Sequence, residues 1–172
     1  MYRKMTRASL LLALMFIFQS LRLLMPVPAF VSMFVIGSAV NACLLAAVET
    51  AGWRAAMILG LTAPVIAYLQ QAIPLPVLIG PLAAANILYI TGYKLLLQTN
   101  RWLAIVAAAG LKMVGLYFSV AWLLMAVDIP EKLAVVIKMM LSWPQFITGA
   151  IGGVLCFVVL ARRQGIKHPT VQ

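Results

Sequence analysis

The sequence predicts an all-α, polytopic membrane protein of six transmembrane helices, and three observations carry that expectation. Of the 172 residues, 65% are hydrophobic. Only 13 are Lys or Arg and three are Asp or Glu, too few to give a domain of this size a wetted outer face. The apolar residues also fall into six long blocks, and a hydrocarbon core of about 30 Å asks for about 20 such residues per helix.

The blocks cover residues 5–25, 30–48, 53–71, 81–97, 102–125 and 144–161. Backbone amides in lipid must be satisfied within the segment, which makes helices the expected form. Barrel strands would be about ten residues long with strict alternation, and no block alternates in that way. The first block follows a basic stretch, Met1 to Arg7, as a secretory signal would. Its apolar run is longer than a signal core and no small-x-small cleavage site follows, so it reads as a retained helix. Residues 1–172 therefore read as one integral membrane domain.

The net charge of +10 is explained by where the charges fall. Arg3, Lys4, Arg7, Arg54, Lys94, Arg101, Arg162, Arg163 and Lys167 all lie on one side of the membrane if six helices alternate. Lys132 and Lys138 lie on the other, and Arg22 and Lys112 lie within spans. Basic loops stay cytoplasmic, so both termini are expected inside, and the charge reports topology rather than nucleic-acid binding. Cys43 and Cys156 lie within apolar blocks without CxxC spacing, and the single histidine, His168, is in the tail. Neither a metal site nor a redox dithiol is expected, and no cofactor is implied.

Intramembrane polar residues gather in the outer halves of the spans. Gln19 and Arg22 close block one, and Tyr68, Gln70 and Gln71 close block three. Asn86 and Tyr89 open block four, Tyr117, Ser119 and Trp122 end block five, and Trp143, Gln145 and Thr148 open block six. The inner halves are aliphatic apart from Asn41 and Tyr93. This asymmetry fits a solute pocket open to the outside. An interfacial aromatic belt accounts for Trp53, Trp102 and Trp143, but not for the amides.

Lys112 is the most informative residue. It lies eleven positions past Arg101, about 16 Å along a helix and near the bilayer centre. A lysine there costs about 3 kcal/mol and ordinarily faces a bundle interior or a cavity. Ala104, Ala108, Lys112, Gly115, Ser119 and Trp122 recur at three- and four-residue steps and predict one small, polar face. No Asp or Glu lies at that depth, since Glu49 is at the inner end of block two. Two readings stand: an anion supplied by a solute, or internal satisfaction by carbonyls, Asn or Tyr. Arg22 is near enough to the surface to snorkel; turned inward, it adds a second cation at the pocket mouth.

Small residues recur at helix-packing spacing in Ser9 and Ala13, Ala56 and Gly60, and Gly149 and Gly153. Pro64 predicts a kink and Pro144 a helix start. Asp128 and Glu131 have the spacing of a capping box. They predict a short outer helix over residues 131–141 with Leu133, Val136, Ile137 and Met140 on one face, suited to a lid or to a plain interfacial helix.

Gly37-Ser38-Ala39-Val40-Asn41-Ala42, Gly52, Leu61-Thr62-Ala63-Pro64, Pro81 and Ala85-Asn86-Ile87 follow one another in an order that resembles the S components of energy-coupling-factor (ECF) vitamin transporters. The resemblance covers nearly the whole chain. It implies an S-component-like bundle in a prokaryotic cell membrane. Such a subunit captures a vitamin or related micronutrient from outside, then docks on a transmembrane coupling subunit and two cytoplasmic ATPases. The family's helix-one alanine motif maps to Ser9 and Ala13, where a serine replaces one alanine. Its binding site maps to Asn86, Tyr89, Lys112, Trp122, Trp143 and Gln145. Lys112 and Arg22 favour an anionic or carbonyl-rich solute, and the aromatics Tyr89, Tyr117, Trp122 and Trp143 favour a ring.

The chain's own residues agree on energetics. There is no GxxxxGK[ST] phosphate loop, no span carries a carboxylate suited to a coupling proton, and no Ser/His, Asp/Asp or HExxH grouping suggests an enzyme. A self-sufficient carrier would need polar residues through both halves, and a scaffold would hold no small molecule.

Overall fold

The computed structural model describes residues 2–24, 28–127 and 129–165, and among them no strand occurs. The helices are α1 (Tyr2–Leu24), α2 (Ala29–Thr50), α3 (Trp53–Leu69), α4 (Ile79–Leu96), α5 (Arg101–Ala126), α6 (Glu131–Met140) and α7 (Trp143–Gly165), with a 3-10 turn at Pro76–Leu78 leading into α4. Five of the long helices, all but α3, have the length and hydropathy to cross a membrane. At 17 residues, α3 spans about 26 Å, near the lower limit for a crossing. Large apolar side chains such as Leu10, Ile17, Val106, Phe118 and Val159 are exposed on the outside. A surface of that kind is one for lipid rather than water.

Helix ends follow local chemistry. Gly52 leaves α2 at φ 102°, where a side chain would be strained, and its N–H reaches back to the Ala47 carbonyl at 2.8 Å. Gln71 takes the same role after α3 at φ 57°, while the Ala72 N–H bonds the Ala67 carbonyl at 2.8 Å. This six-to-one closure stops α3 at Leu69, two residues short of the apolar block. Asn100 caps α5, its side chain accepting from the N–H groups of Trp102 and Leu103, as a short amide at an N-cap does. The capping box expected before α6 does not form as drawn. Pro130 is the N-cap and no side-chain bond closes it; Asp128 lies outside the described residues. Proline's fixed φ sets the entry without needing a side-chain acceptor.

Successive long helices run antiparallel, so the bundle has two distinct ends. At one, Arg7 donates to the Thr50 carbonyl at 3.2 Å, Lys94 lies 4.6 Å from the Trp53 ring centroid, and Trp102 meets Phe157. This is the basic end. At the other, Arg22 reaches Ala72, Phe30 packs near Trp143, and α6 lies across the helices. This is the α6 end.

The glycines of α7 set the packing. Gly149 faces Ala109 and Gly153 faces Ile105, both on α5, while Gly152 faces Asn41 and the Ser38 carbonyl on α2. The GxxxG pair is thus consumed by internal contact, and α7 wedges between α2 and α5. By contrast α1 is peripheral: Met15 and Gln19 are its buried residues, and Ser9 and Ala13 are exposed.

A methyl group at Gly152 would stand 2.5 Å from the Asn41 Cβ and 2.8 Å from the Ser38 carbonyl oxygen. Overpacking of this kind costs about 1–3 kcal/mol, so Gly152→Ala is expected to lower the thermal midpoint in detergent. Gly110, mid-helix in α5, has nothing within 4 Å of the corresponding point. Gly110→Ala should leave the midpoint unchanged or raise it, since alanine favours a helix interior by up to about 1 kcal/mol. Equal effects at the two positions would show that the α2–α7 approach is not tight.

Candidate functional site: a cavity under the short helix

A cavity of about 210 Å³ opens at the α6 end and runs down between the long helices. That is room for a small organic molecule rather than a few waters. Its roof is α6, whose Leu133, Val136, Ile137 and Met140 all line it. Its rim includes Arg22, which donates to the Ala72 carbonyl at 3.4 Å, and Pro74. Its floor carries Asn41 and Lys112.

The floor is built by four helices. Lys112 on α5 is 4% exposed, and its Nζ donates to Asn41 Oδ1 on α2 at 2.6 Å. The ammonium also lies 5.2 Å from the Tyr89 ring centroid, a distance at which the ring face attracts a cation. Asn41 Nδ2 donates in turn to Thr148 Oγ1 on α7 at 3.4 Å. An ammonium has three N–H donors, and Asn41 is its one hydrogen-bond acceptor among the described residues. No carboxylate among them lines the cavity. An amide and a ring hold the ammonium, as the internal reading expected, and Lys112 also lines the cavity.

The polar stripe on α5 departs from the expected one. Its buried face runs Ala104, Ala108, Lys112, Leu116 and Val120 in four-residue steps and then Leu123, where the sequence suggested a turn toward Gly115 and Ser119. Three-residue steps drift around a helix of 3.6 residues per turn. They carry Trp122 to the outside, where it is 73% exposed.

Asn86 lines the cavity and has structural work as well. Pro64 has no N–H to give the Gly60 carbonyl four residues earlier, and Asn86 Nδ2 supplies the missing donor at 3.0 Å. Gln145 also lines the cavity, with Nε2 3.4 Å from the Met140 carbonyl. Tyr89 is fully buried and donates to the Gly149 carbonyl at 2.7 Å; it backs the ammonium from outside the cavity. Trp143 is half exposed in an aromatic group with Phe30 and Phe34. The cavity thus brings together Asn86, Lys112 and Gln145, while Tyr89, Trp122 and Trp143 stand off its wall.

Two lining amides were visible in the sequence but not placed in the site. Asn41 lies twelve residues into α2 and Lys112 eleven past the start of α5, so matched depth on antiparallel helices was the signal for their pairing. Gln19 on α1 is 6% exposed. Its Nε2 donates to the Ala63 carbonyl at 3.1 Å, and its Oε1 has no partner among the described residues.

Below the floor the basic end is closed. Glu49 accepts from Tyr93 Oη at 2.7 Å and from Arg101 Nη2 at 2.8 Å, joining α2, α4 and α5, and Cys156 Sγ of α7 approaches Oε1 at 4.0 Å. Between this cluster and the cavity lie Leu44, Leu45, Ile90, Ala108 and other buried aliphatic residues. Among the described residues no group of three His, Cys, Asp or Glu could hold a metal ion.

No protein-family model, no curated protein and no solved structure matches this chain.

Glu49→Gln should lower stability by about 1 kcal/mol, the cost of weakening a part-buried, charge-assisted pair of hydrogen bonds. Thermal melts in detergent measure it. An unchanged midpoint would show that the cluster does not hold the basic end together.

Proposed function

We propose that this chain is the substrate-binding S component of an ECF-type importer, taking a vitamin-like micronutrient from outside the cell. One observation carries the reading: the cavity is roofed at one end by a short helix and floored by a buried ammonium, and a sealed core lies beneath it. Such a shape binds a solute from one side and offers no path to the other.

Under this proposal six helices cross a prokaryotic cell membrane, α3 being the sixth. Basic loops stay inside, so the basic end and both termini are cytoplasmic and the cavity faces outward. Helix α6 acts as the lid. Lys112 meets the solute, with Asn86 and Gln145 on the walls and Arg22 at the mouth. Energy comes from elsewhere, because the chain has no phosphate loop. A coupling subunit and two cytoplasmic ATPases supply it, and the exposed face of α1 around Ser9 and Ala13 is the dock. A self-sufficient carrier would need a second opening at the basic end. The Glu49 cluster and the aliphatic core beneath the cavity favour the subunit over the carrier.

Two substitutions separate capture from docking. Lys112→Met keeps length and removes the charge. A hydrogen bond to a charged group contributes about 1.5–3 kcal/mol, so affinity for the molecule that native mass spectrometry finds bound should fall roughly 10- to 100-fold. Ala13→Trp should leave that affinity intact and break co-purification with the coupling subunit. A Lys112→Met protein that binds normally yet melts early would make Lys112 a strut between helices and remove the basis of the proposal.

A further inference from the structure

The wall chemistry of the cavity narrows the solute class, given that the cavity is the uptake site. No Phe, Tyr or Trp lines it, and none of the residues outside the described ranges is one of these. The body of the cavity is aliphatic: Met33 and Ile36 from α2, Leu82 from α4, and Leu133, Ile137 and Met140 around the lid. The ring that the aromatics in the sequence favoured has no stacking partner here, because Trp122 and Trp143 are on the exterior and Tyr89 is behind Lys112. A flat heteroaromatic solute gains from aromatic faces, and this wall offers none.

One polar point remains open at the floor: the Lys112 ammonium, which has a single hydrogen-bond acceptor among the described residues and no carboxylate among them across the cavity. Buried polar groups are ordinarily paired, and unmet hydrogen-bonding capacity costs about 1–3 kcal/mol.

We infer that the cavity takes an aliphatic-bodied anion. The anionic group meets Lys112 on the floor. The saturated body packs against α2, α4 and the short helix above them. Each part of the solute matches one feature of the cavity: an ammonium with donors to spare and an aliphatic wall.

Ligand-observed saturation-transfer NMR on the full chain, with titration to saturation, tests this with three probes of similar length. Octanoate has both parts, octanamide lacks the charge, and 3-phenylpropanoate replaces the aliphatic body with a ring. Octanoate should bind at least tenfold more tightly than the amide or the aromatic acid. Lys112→Met should erase its advantage over the amide and leave the amide itself unchanged, which a merely destabilised bundle would not do. Tighter binding of the aromatic acid, still dependent on Lys112, would overturn the aliphatic class and leave the uptake site standing. Equal binding of acid and amide would overturn the anionic class. Binding of none of the three, together with no bound molecule in native mass spectra, would overturn the site as well.

Discussion

A positive charge held near the middle of an apolar bundle is the constraint on which the rest of the architecture depends. The Lys112 ammonium cannot be left against hydrocarbon, so α2 must bring Asn41 to the same depth and α4 must bring the face of Tyr89. Asn41 in turn needs α7 close enough for Thr148, and that approach is possible because Gly152 has no side chain between the helices. Four helices are thus fixed in register around one ammonium. The arrangement leaves one side of it unwalled, and the cavity is that side.

The two ends of the molecule solve different problems with similar means. At the basic end a carboxylate is shared between a phenol and a guanidinium, and the pairing is closed on itself with aliphatic packing above it. At the α6 end amides and carbonyls meet in ones and twos, and the acceptors Gln19 Oε1 and Gln70 Oε1 have no partner among the described residues. A closed network favours a single arrangement of helices, whereas a partly satisfied one leaves binding capacity in reserve.

Much of the fold was legible because the lipid solvent permits few answers. Block length gave the helices, but Gly52 was not singled out as a helix stop. Gln71 was not legible as a stop, since glutamine rarely takes a left-handed conformation. The cavity-facing apolar residues of α6 followed from simple periodicity. The site was only partly legible. Lys112 declared itself by cost, but sequence spacing could not tell a three-step from a four-step continuation along α5, and so misdirected attention to Trp122. Asn41 and Gln19 were seen as polar without being paired, because pairing depends on which helices adjoin, and α1 touching α3 is a fact of packing rather than of order along the chain.

The bond between Asn86 and the Gly60 carbonyl has a consequence for how this sequence can change. Proline at 64 is tolerable because an amide on the neighbouring helix covers the carbonyl that proline abandons. Remove the proline, and the helix recovers its own donor while the amide loses its acceptor. Remove the amide, and the helix keeps a bare oxygen in an apolar setting. The two residues lie on different helices and 22 positions apart, yet they are a single heritable unit: divergence at one opens a path at the other, and a descendant that loses both can be as sound as one that keeps both.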